Sequence, residues 1–168
     1  MEQLQRYLNH SKIDVLFKQN KDDFVVTELP LYDFSGEGEH LVLKIRKKDL
    51  ATWDAIEILA KYLNCSSREF GYAGLKDKNA MTVQSISVHR KYEEQLKSFQ
   101  HENLKILETT YHNNKIKVGH LKGNKFFIRL KRVGAIEKRK IEEALGSIVT
   151  HGIPNYFGFQ RFGIEGDK

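Results

Sequence analysis

Alternation of apolar and polar residues along several short segments predicts β-strands. Leu41, Leu43 and Ile45 stand opposite the polar residues at 40, 44 and 46, which is typical of a strand with one buried face. Ile86 and Val88 alternate with serines in the same way. Further candidate strands run over residues 24–29, 104–111, 115–118 and 126–131.

Two of these candidate strands predict a hairpin. Residues 104–111 and 115–118 flank the sequence His-Asn-Asn at residues 112–114. Because asparagine tolerates the left-handed backbone that tight turns require, we expect the two strands to pair through this turn.

In two other segments apolar residues recur about every 3.6 residues, which predicts helices. Trp53, Ile56, Ala60 and Leu63 share one helical face, and Thr52 is a suitable N-cap for this helix. A second apolar stripe is formed by Ile141, Ala144, Leu145 and Ile148. Strands outnumber helices, and neighbouring strands are joined more often by short turns than by helices. The pattern therefore predicts an α+β fold with a largely antiparallel sheet and flanking helices.

Length and composition are those of an ordinary globular domain. The chain has 168 residues, 40% of them hydrophobic and 30% charged, without a linker or internal repeat, so we expect a single domain over residues 1–168. No run approaches the ~20 apolar residues of a membrane span. Cys65 is alone, so no internal disulfide is possible, and a reducing cytoplasm is the expected location.

Positive charge is concentrated in one window of the chain. Residues 111–140 contain ten basic residues against one acid, Glu137, whereas the whole chain carries a net charge of +6. The basic residues are Lys115, Lys117, Lys122, Lys125, Arg129, Lys131, Arg132, Lys138, Arg139 and Lys140. Such a window suits a polyanion such as a nucleic acid, because each neutralised phosphate releases counterions. A solvated basic face is the alternative.

One carboxylate has an unusual setting. Asp77 lies between Lys76 and Lys78 in a loop that precedes the strand around Ile86. The neighbouring cations favour the ionised carboxylate, which can act as a nucleophile or a base. An ordinary solvated turn has the same composition, so the residues alone leave both interpretations open.

Aromatic residues accompany basic and amide side chains in two other segments. Residues 119–127 read Gly-His-Leu-Lys-Gly-Asn-Lys-Phe-Phe, and residues 154–163 read Pro-Asn-Tyr-Phe-Gly-Phe-Gln-Arg-Phe-Gly. Aromatic rings beside cations suit unstacked bases, although Phe126 could equally belong to the core with Ile128. The seven histidines show no metal-ligand spacing, so we expect no metal site.

In their order along the chain, these segments resemble the TruD family of tRNA pseudouridine synthases. The resemblance covers residues 18–163. It is most specific in Ala-Gly-Leu-Lys-Asp-Lys at residues 73–78 and in Asn-Tyr-Phe-Gly-Phe-Gln-Arg-Phe-Gly at residues 155–163. Leu-Lys-Gly-Asn-Lys-Phe at residues 121–126 and Asp-Phe-Val-Val-Thr-Glu at residues 23–28 are less specific.

The resemblance implies a function and a set of site residues. The family isomerises uridine to pseudouridine in RNA, typically at position 13 of certain tRNAs, and this reaction needs no cofactor. Asp77 matches the essential aspartate, Asn124 an asparagine that helps to hold it, and Lys18 a nearby lysine. Phe126 matches the phenylalanine that stacks on the target base. The expected substrate-binding set is Phe126, Lys76, Lys78, Gln160 and Arg161. The expected phosphate contacts are Lys115, Lys117, Lys122, Lys125 and Arg129.

The resemblance also implies that the chain is the first portion of such an enzyme, because family members continue past the motif at residues 155–163. We therefore expect an incomplete pseudouridine synthase sheet, covered by the remaining portion of the enzyme or by another copy of the chain. Phe126 should be partly exposed near Asp77, with Ile128 and Leu130 buried.

Two other functions stay open from the sequence. One is an RNA-binding module, or inactive fragment, without turnover. The other is a glycoside or nucleoside hydrolase that uses Asp77 and Glu28 as a pair of carboxylates.

Overall fold

The computed structural model describes Leu8 and residues 11–154. The chain divides into two compact units: Phe17–Arg129 form one, and the described parts of residues 1–16 and 130–168 form the other. Within the described part of the chain, no helix combines the length and the apolar character that a membrane crossing requires.

The elements follow one another as strands with three interspersed α-helices. The strands are β1 (Leu16–Phe17), β2 (Phe24–Pro30), β3 (His40–Lys48), β4 (Gly71–Tyr72), β5 (Met81–His89), β6 (Leu104–His112), β7 (Leu121–Ile128) and β8 (Leu130–Lys131). The helices are α1 (Thr52–Tyr62), α2 (Glu93–Leu96) and α3 (Ala135–His151). Short 3-10 turns occupy Lys21–Asp23, Ser67–Glu69 and Arg90–Tyr92.

Six strands form one mixed sheet in the order β6-β3-β5-β2-β7, with β4 also paired to β5. All of the pairings are antiparallel except that between β2 and β5. The predicted α+β class with a largely antiparallel sheet is therefore confirmed. The parallel pair brings the beginning of β2 beside the beginning of β5, with Val25 opposite Met81.

The main core lies on one face of this sheet, beneath α1. Leu43 and Ile45 of β3 and Ile86 of β5 are fully buried there, as the alternation predicts. Ile56 and Leu59 of α1 pack on them. Trp53 departs from the predicted helical face, because it is exposed and its ring packs against the edge of Tyr72.

The predicted N-cap of α1 is wrong by one residue. Thr52 is the first helical residue and Ala51 is the N-cap, whose N–H donates to Asp54 Oδ2 at 2.8 Å. The acidic side chain therefore does the capping, and the Thr52 hydroxyl is left to make other contacts.

The predicted hairpin after β6 is also wrong. β6 pairs with β3, and residues 115–118 form no strand. Ile116 is instead buried against Val42 and Ala73, and its N–H donates to the Ser87 hydroxyl at 2.9 Å. The backbone groups of β6 are satisfied by a distant strand, which local alternation cannot reveal.

Side chains near the end of β7 are more exposed than the alternation predicts. Ile128 of β7 is 50% exposed and Leu130 of β8 is only half-buried, so the expectation that both are buried is wrong. For Ile128 the reason is that β7 lies at the edge of the sheet, with β2 as its one described neighbour. Alternation indicates which of the two sheet faces a side chain occupies. The side chain is buried only if another element packs on that face.

Candidate active site

The Asp77 loop, residues 73–80, joins β4 to β5. Asp77, Lys78 and Asn79 are exposed at its tip, whereas Lys76 and Ala80 on either side are buried. The carboxylate therefore reaches solvent from a loop whose two flanks are anchored inside the protein.

Lys47, at the end of β3, lies beneath this loop and is fully buried. Its ammonium donates to three main-chain carbonyl groups, those of Leu50 at 2.6 Å, Lys76 at 3.2 Å and Asp77 at 3.2 Å. Burial lowers the pKa of Lys47 to about 8, against the opposing effect of the Asp77 charge.

Lys47 is absent from the predicted site residues, although the sequence contains a signal for it. The inward-facing positions of β3 are 41, 43 and 45, and position 47 continues the same period of two. A lysine at an inward-facing position has to find buried acceptors, which makes it a candidate for a structural or functional role.

Thr52 holds the same loop from the other side. Its hydroxyl accepts a hydrogen bond from the N–H of Lys76 at 2.9 Å and donates to Gln84 Oε1 at 3.0 Å. Gln84 belongs to β5 and is itself buried. The loop is thus connected to both the start of α1 and the central strand.

Lys76 is placed in the interior, in an ion pair with Glu28. The Nζ and Oε2 atoms lie 2.5 Å apart, and Glu28 Oε1 accepts a hydrogen bond from the N–H of Ser85 at 3.3 Å. This engaged carboxylate weakens the hydrolase alternative, because Glu28 is not free to act with Asp77 as a second exposed acid.

The sheet register places two of the motif residues on the face where this ion pair lies. Asn124 of β7 is directly opposite Glu28 of β2, and Phe126 is opposite Val26. Residues directly opposite each other project to the same side of a sheet. Asn124 and Phe126 are therefore on the face of Glu28 and Lys76, and both are exposed.

Phe127 projects to the opposite face, because successive residues of a strand alternate. The residue that shares the sheet face of the Asp77 loop is Phe126, which is 56% exposed. The expected exposure of Phe126 is confirmed, and its role in stacking stays a prediction.

Lys18 belongs to the same part of the sheet. Its ammonium lies 3.9 Å from the ring centroid of Phe24, and the rings of Phe24 and Phe126 stack with centroids 6.1 Å apart. Lys18 also has a positive φ of 53°, which is uncommon for a residue other than glycine. Nearby, Lys21 Nζ donates to Asn79 Oδ1 at 3.3 Å and so links this segment to the Asp77 loop.

Two parts of the expected site are without a direct observation. Within the described ranges no hydrogen bond joins Asn124 to Asp77, so the role of Asn124 in holding Asp77 stays a prediction. Gln160 and Arg161 lie outside the described residues, as does the motif at residues 155–163.

The basic residues expected to contact phosphate differ in exposure. Lys117, Lys122 and Lys125 are exposed. Lys115 is half-buried and donates to the carbonyl group of Arg68. Arg129 is exposed but lies 3.6 Å from the buried carboxylate of Asp23. Three lysines are therefore the best placed to meet a polyanion.

No group of three or more His, Cys, Asp or Glu side chains is placed to hold a metal ion in the part of the chain that the structure describes.

Comparison with known proteins decides the family. The profile of the family described as tRNA pseudouridine synthase D (TruD) matches residues 3–166, almost the whole chain. The chain belongs to the TruD family. Its relatives include the tRNA pseudouridine synthase D of Sulfurimonas denitrificans, 58% identical over 96% of this chain, and that of Nitratiruptor, 55% identical over the same share.

A solved structure shares the fold. The putative tRNA pseudouridine synthase D of Methanosarcina mazei superposes with a TM-score of 0.81 at 27% identity, over 92% of this chain and 36% of that protein. The chain spans 45% of the length of the two TruD relatives named above. The resemblance found in the sequence, to the N-terminal portion of a TruD protein, is thereby confirmed.

Proposed function

We propose that the full-length product of this gene isomerises uridine to pseudouridine in tRNA, with Asp77 as the catalytic carboxylate. The observation that carries the proposal is the setting of Asp77. An exposed carboxylate stands on a loop whose flanks are buried and hydrogen-bonded, beside a sheet face that presents Asn124 and Phe126.

The reaction fits a site with one carboxylate. The bond between N1 and C1′ breaks, the uracil turns, and a bond forms between C5 and C1′. C5 then loses its proton and N1 gains one, so the product is an isomer and no oxidant or external water is consumed. Asp77 can begin this sequence by attacking C1′, in a bond that breaks when C5 attaches to C1′, or by removing the C2′ proton, which is returned to C2′ at the end.

Phe126 is proposed as the platform for the uracil. A uridine must leave its stack before an enzyme can act on it, and an exposed aromatic ring compensates the lost stacking. The ring of Phe24 lies behind Phe126 and supports it. Asn124 lies on the same face and is proposed to help to hold Asp77 when substrate is bound.

The remaining residues of the proposed site are charged or polar. The exposed Lys78 and the nearby Lys18 are proposed to stabilise negative charge on the substrate, and Gln160 and Arg161 are proposed to complete the substrate contacts. Lys76 is assigned a supporting role, because its ammonium is engaged by Glu28.

Transfer RNA is the proposed partner, with uridine 13 as the target and the cytoplasm as the location. Lys117, Lys122, Lys125 and Arg129 are proposed as phosphate contacts, with Lys115 at the margin of this surface. Such contacts position an RNA without reading its sequence.

The test compares the gene's full-length product with its Asp77→Asn variant on tRNA, with pseudouridine mapped at single-nucleotide resolution. Asp77→Asn keeps the shape and removes the charge, so turnover should fall at least about a hundredfold, the usual scale for a lost acid or base. Asp33→Asn, at another exposed aspartate, is the matched control and should leave turnover unchanged.

Two results would decide against the proposal. Retention of turnover within tenfold in Asp77→Asn would remove Asp77 from the catalytic role. Tight binding of tRNA with no pseudouridine from the wild-type protein would favour the RNA-binding module instead.

A further inference from the structure

The main chain of the Asp77 loop is held at three polar groups of two consecutive residues. The N–H of Lys76 is bonded to Thr52, and the C=O groups of Lys76 and Asp77 are both bonded to Lys47. These two side chains come from different elements, the end of β3 and the start of α1. They contact the loop immediately before and at the proposed catalytic residue.

The partners of Lys47 are unusual for a fully buried charge. Its ammonium hydrogen-bonds three carbonyl groups of the main chain rather than a carboxylate. Burying an ammonium is costly, so an apolar side chain would fill this position more cheaply if the loop did not need the hydrogen bonds. The contact with the Asp77 carbonyl constrains the peptide unit that carries the carboxylate.

Thr52 adds a connection that a simple packing residue would not need. Its hydroxyl is both an acceptor for the loop and a donor to Gln84 on the central strand. The side chains of Thr52, Gln84 and Lys47 are all buried, so water does not compete for these bonds.

We propose that Lys47 and Thr52 are positioning residues, which together hold the main chain at Lys76 and Asp77 and so direct the Asp77 carboxylate toward its substrate. Neither side chain touches the reacting atoms. The effect on turnover rests on the proposed function of Asp77, whereas the effect on loop order does not.

The experiment uses the gene's full-length product and the variants Lys47→Met, Thr52→Val and Thr52→Ser. Methionine keeps the length of lysine without its donors, and valine keeps the shape of threonine without its hydroxyl. Serine keeps the hydroxyl and tests rescue. Lys44→Met is the matched control, because Lys44 lies on the same strand but its side chain is 41% exposed on the other face of the sheet.

Two quantities are measured for each protein: amide hydrogen exchange in peptides covering residues 74–81, and kcat and KM on tRNA. We expect Lys47→Met and Thr52→Val to speed exchange in this loop about tenfold or more. We also expect them to lower kcat between about tenfold and a hundredfold with KM nearly unchanged, as for small misplacements of a catalytic group. Thr52→Ser should restore both quantities, and Lys44→Met should alter neither.

The outcomes separate this proposal from the proposed function. Unchanged loop exchange and kcat in Lys47→Met and Thr52→Val, with turnover abolished in Asp77→Asn, would overturn the positioning role alone. Faster loop exchange together with no turnover in any protein, including the wild type, would overturn the proposed function and keep only the role of Lys47 and Thr52 in ordering the loop. If Lys47→Met fails to fold, loop exchange and kcat in Thr52→Val and Thr52→Ser decide whether the positioning role holds.

Discussion

Glu28 and Lys76 form an ion pair in the interior of the protein, with 2.5 Å between Oε2 and Nζ and both side chains at most 5% exposed. The pair joins β2 to the Asp77 loop. Removing one partner leaves the other charge buried and unpaired, which costs far more than losing an exposed ion pair.

Glu28→Leu should lower the free energy of unfolding by about 3–5 kcal/mol, because the Lys76 ammonium loses its counterion inside the protein. The double variant Glu28→Leu with Lys76→Met should recover most of that loss, since neither charge remains. Urea denaturation followed by the fluorescence of the single tryptophan, Trp53, measures both. Glu94→Gln breaks an exposed pair with Lys97 and should change the free energy of unfolding far less, because solvent screens that pair.

Phe126→Ala should weaken tRNA binding by about 1–3 kcal/mol, the scale of one base stacked on an aromatic ring. Phe127→Ala is the matched control, because it removes an equally large ring from the opposite face of β7. Fluorescence titration with tRNA compares the two variants. An equal or larger loss for Phe127→Ala would transfer the stacking role to that residue.

Phe126→Ala should have only a modest effect on the free energy of unfolding. Phe126 is exposed, so Phe126→Ala should cost less than Ile86→Ala, a fully buried truncation worth about 2–5 kcal/mol. Urea denaturation of both variants gives the comparison. A large loss for Phe126→Ala would indicate a core role for its ring.

Changing Lys117, Lys122 and Lys125 to Gln should weaken tRNA binding and flatten its dependence on salt. Each lost phosphate contact lowers the slope of log K against log[salt] by roughly 0.7–0.9, because fewer counterions are released. Filter-binding titrations at several salt concentrations measure the slope. The control changes Lys61 and Lys97, two exposed lysines outside the basic window, and should leave the slope unchanged.

The stability of the protein should rise with pH between about 8 and 10.5 through Lys47. The folded pKa of Lys47 is about 8, below its unfolded value, so in this window the unfolded chain binds more protons than the folded one. The gain is at most about 3 kcal/mol, and it is lost as pH falls toward 8. Urea denaturation across this range should show a smaller rise in Lys47→Met than in the wild type. Identical pH dependence in the two proteins would contradict the assignment.

The 168-residue chain expressed by itself should self-associate as its concentration increases. Among the described residues β7 pairs with β2 alone, and Phe126, Phe127 and Ile128 are exposed; strand edges of this kind pair readily with other chains. Light scattering measures the mass. Ile128→Lys should favour the monomer, whereas Val118→Lys, at an exposed position outside the strands, should not.

Alternation predicted one face of the central strands β3 and β5, the face that packs beneath α1. It did not predict the other face, where Val42, Ser85 and Ser87 are buried as well. The prediction of a hairpin after β6 is wrong for a different reason. Alternation shows that a segment is a strand, but the partner of β6 is β3, which is far away in the sequence.

The motifs in the sequence supply the candidate site residues, whose roles stay predictions. Asp77, Asn124 and Phe126 were named from the resemblance, and the register of β2 with β7 places the last two on one face. Lys47 and Thr52 were missed as loop contacts, because a lysine is ordinarily taken for a surface residue and a threonine before a helix for a cap. The period of two along β3 marks Lys47 as inward-facing, but the acceptors that it and Thr52 reach come from tertiary contacts that a local pattern does not contain.

The parallel contact between β2 and β5 has a consequence for how the protein acquires its site. Val26 lies opposite Thr82, and most of the other strand pairings also join segments that are distant along the chain. Closing such long loops consumes configurational entropy before any native contact offsets it, which makes folding slow. The contacts that hold the Asp77 loop involve residues 28, 47, 52, 76 and 84. They therefore cannot form in a partly folded chain that lacks these distant strand pairings. Catalytic competence should therefore emerge only with the final, cooperative folding step.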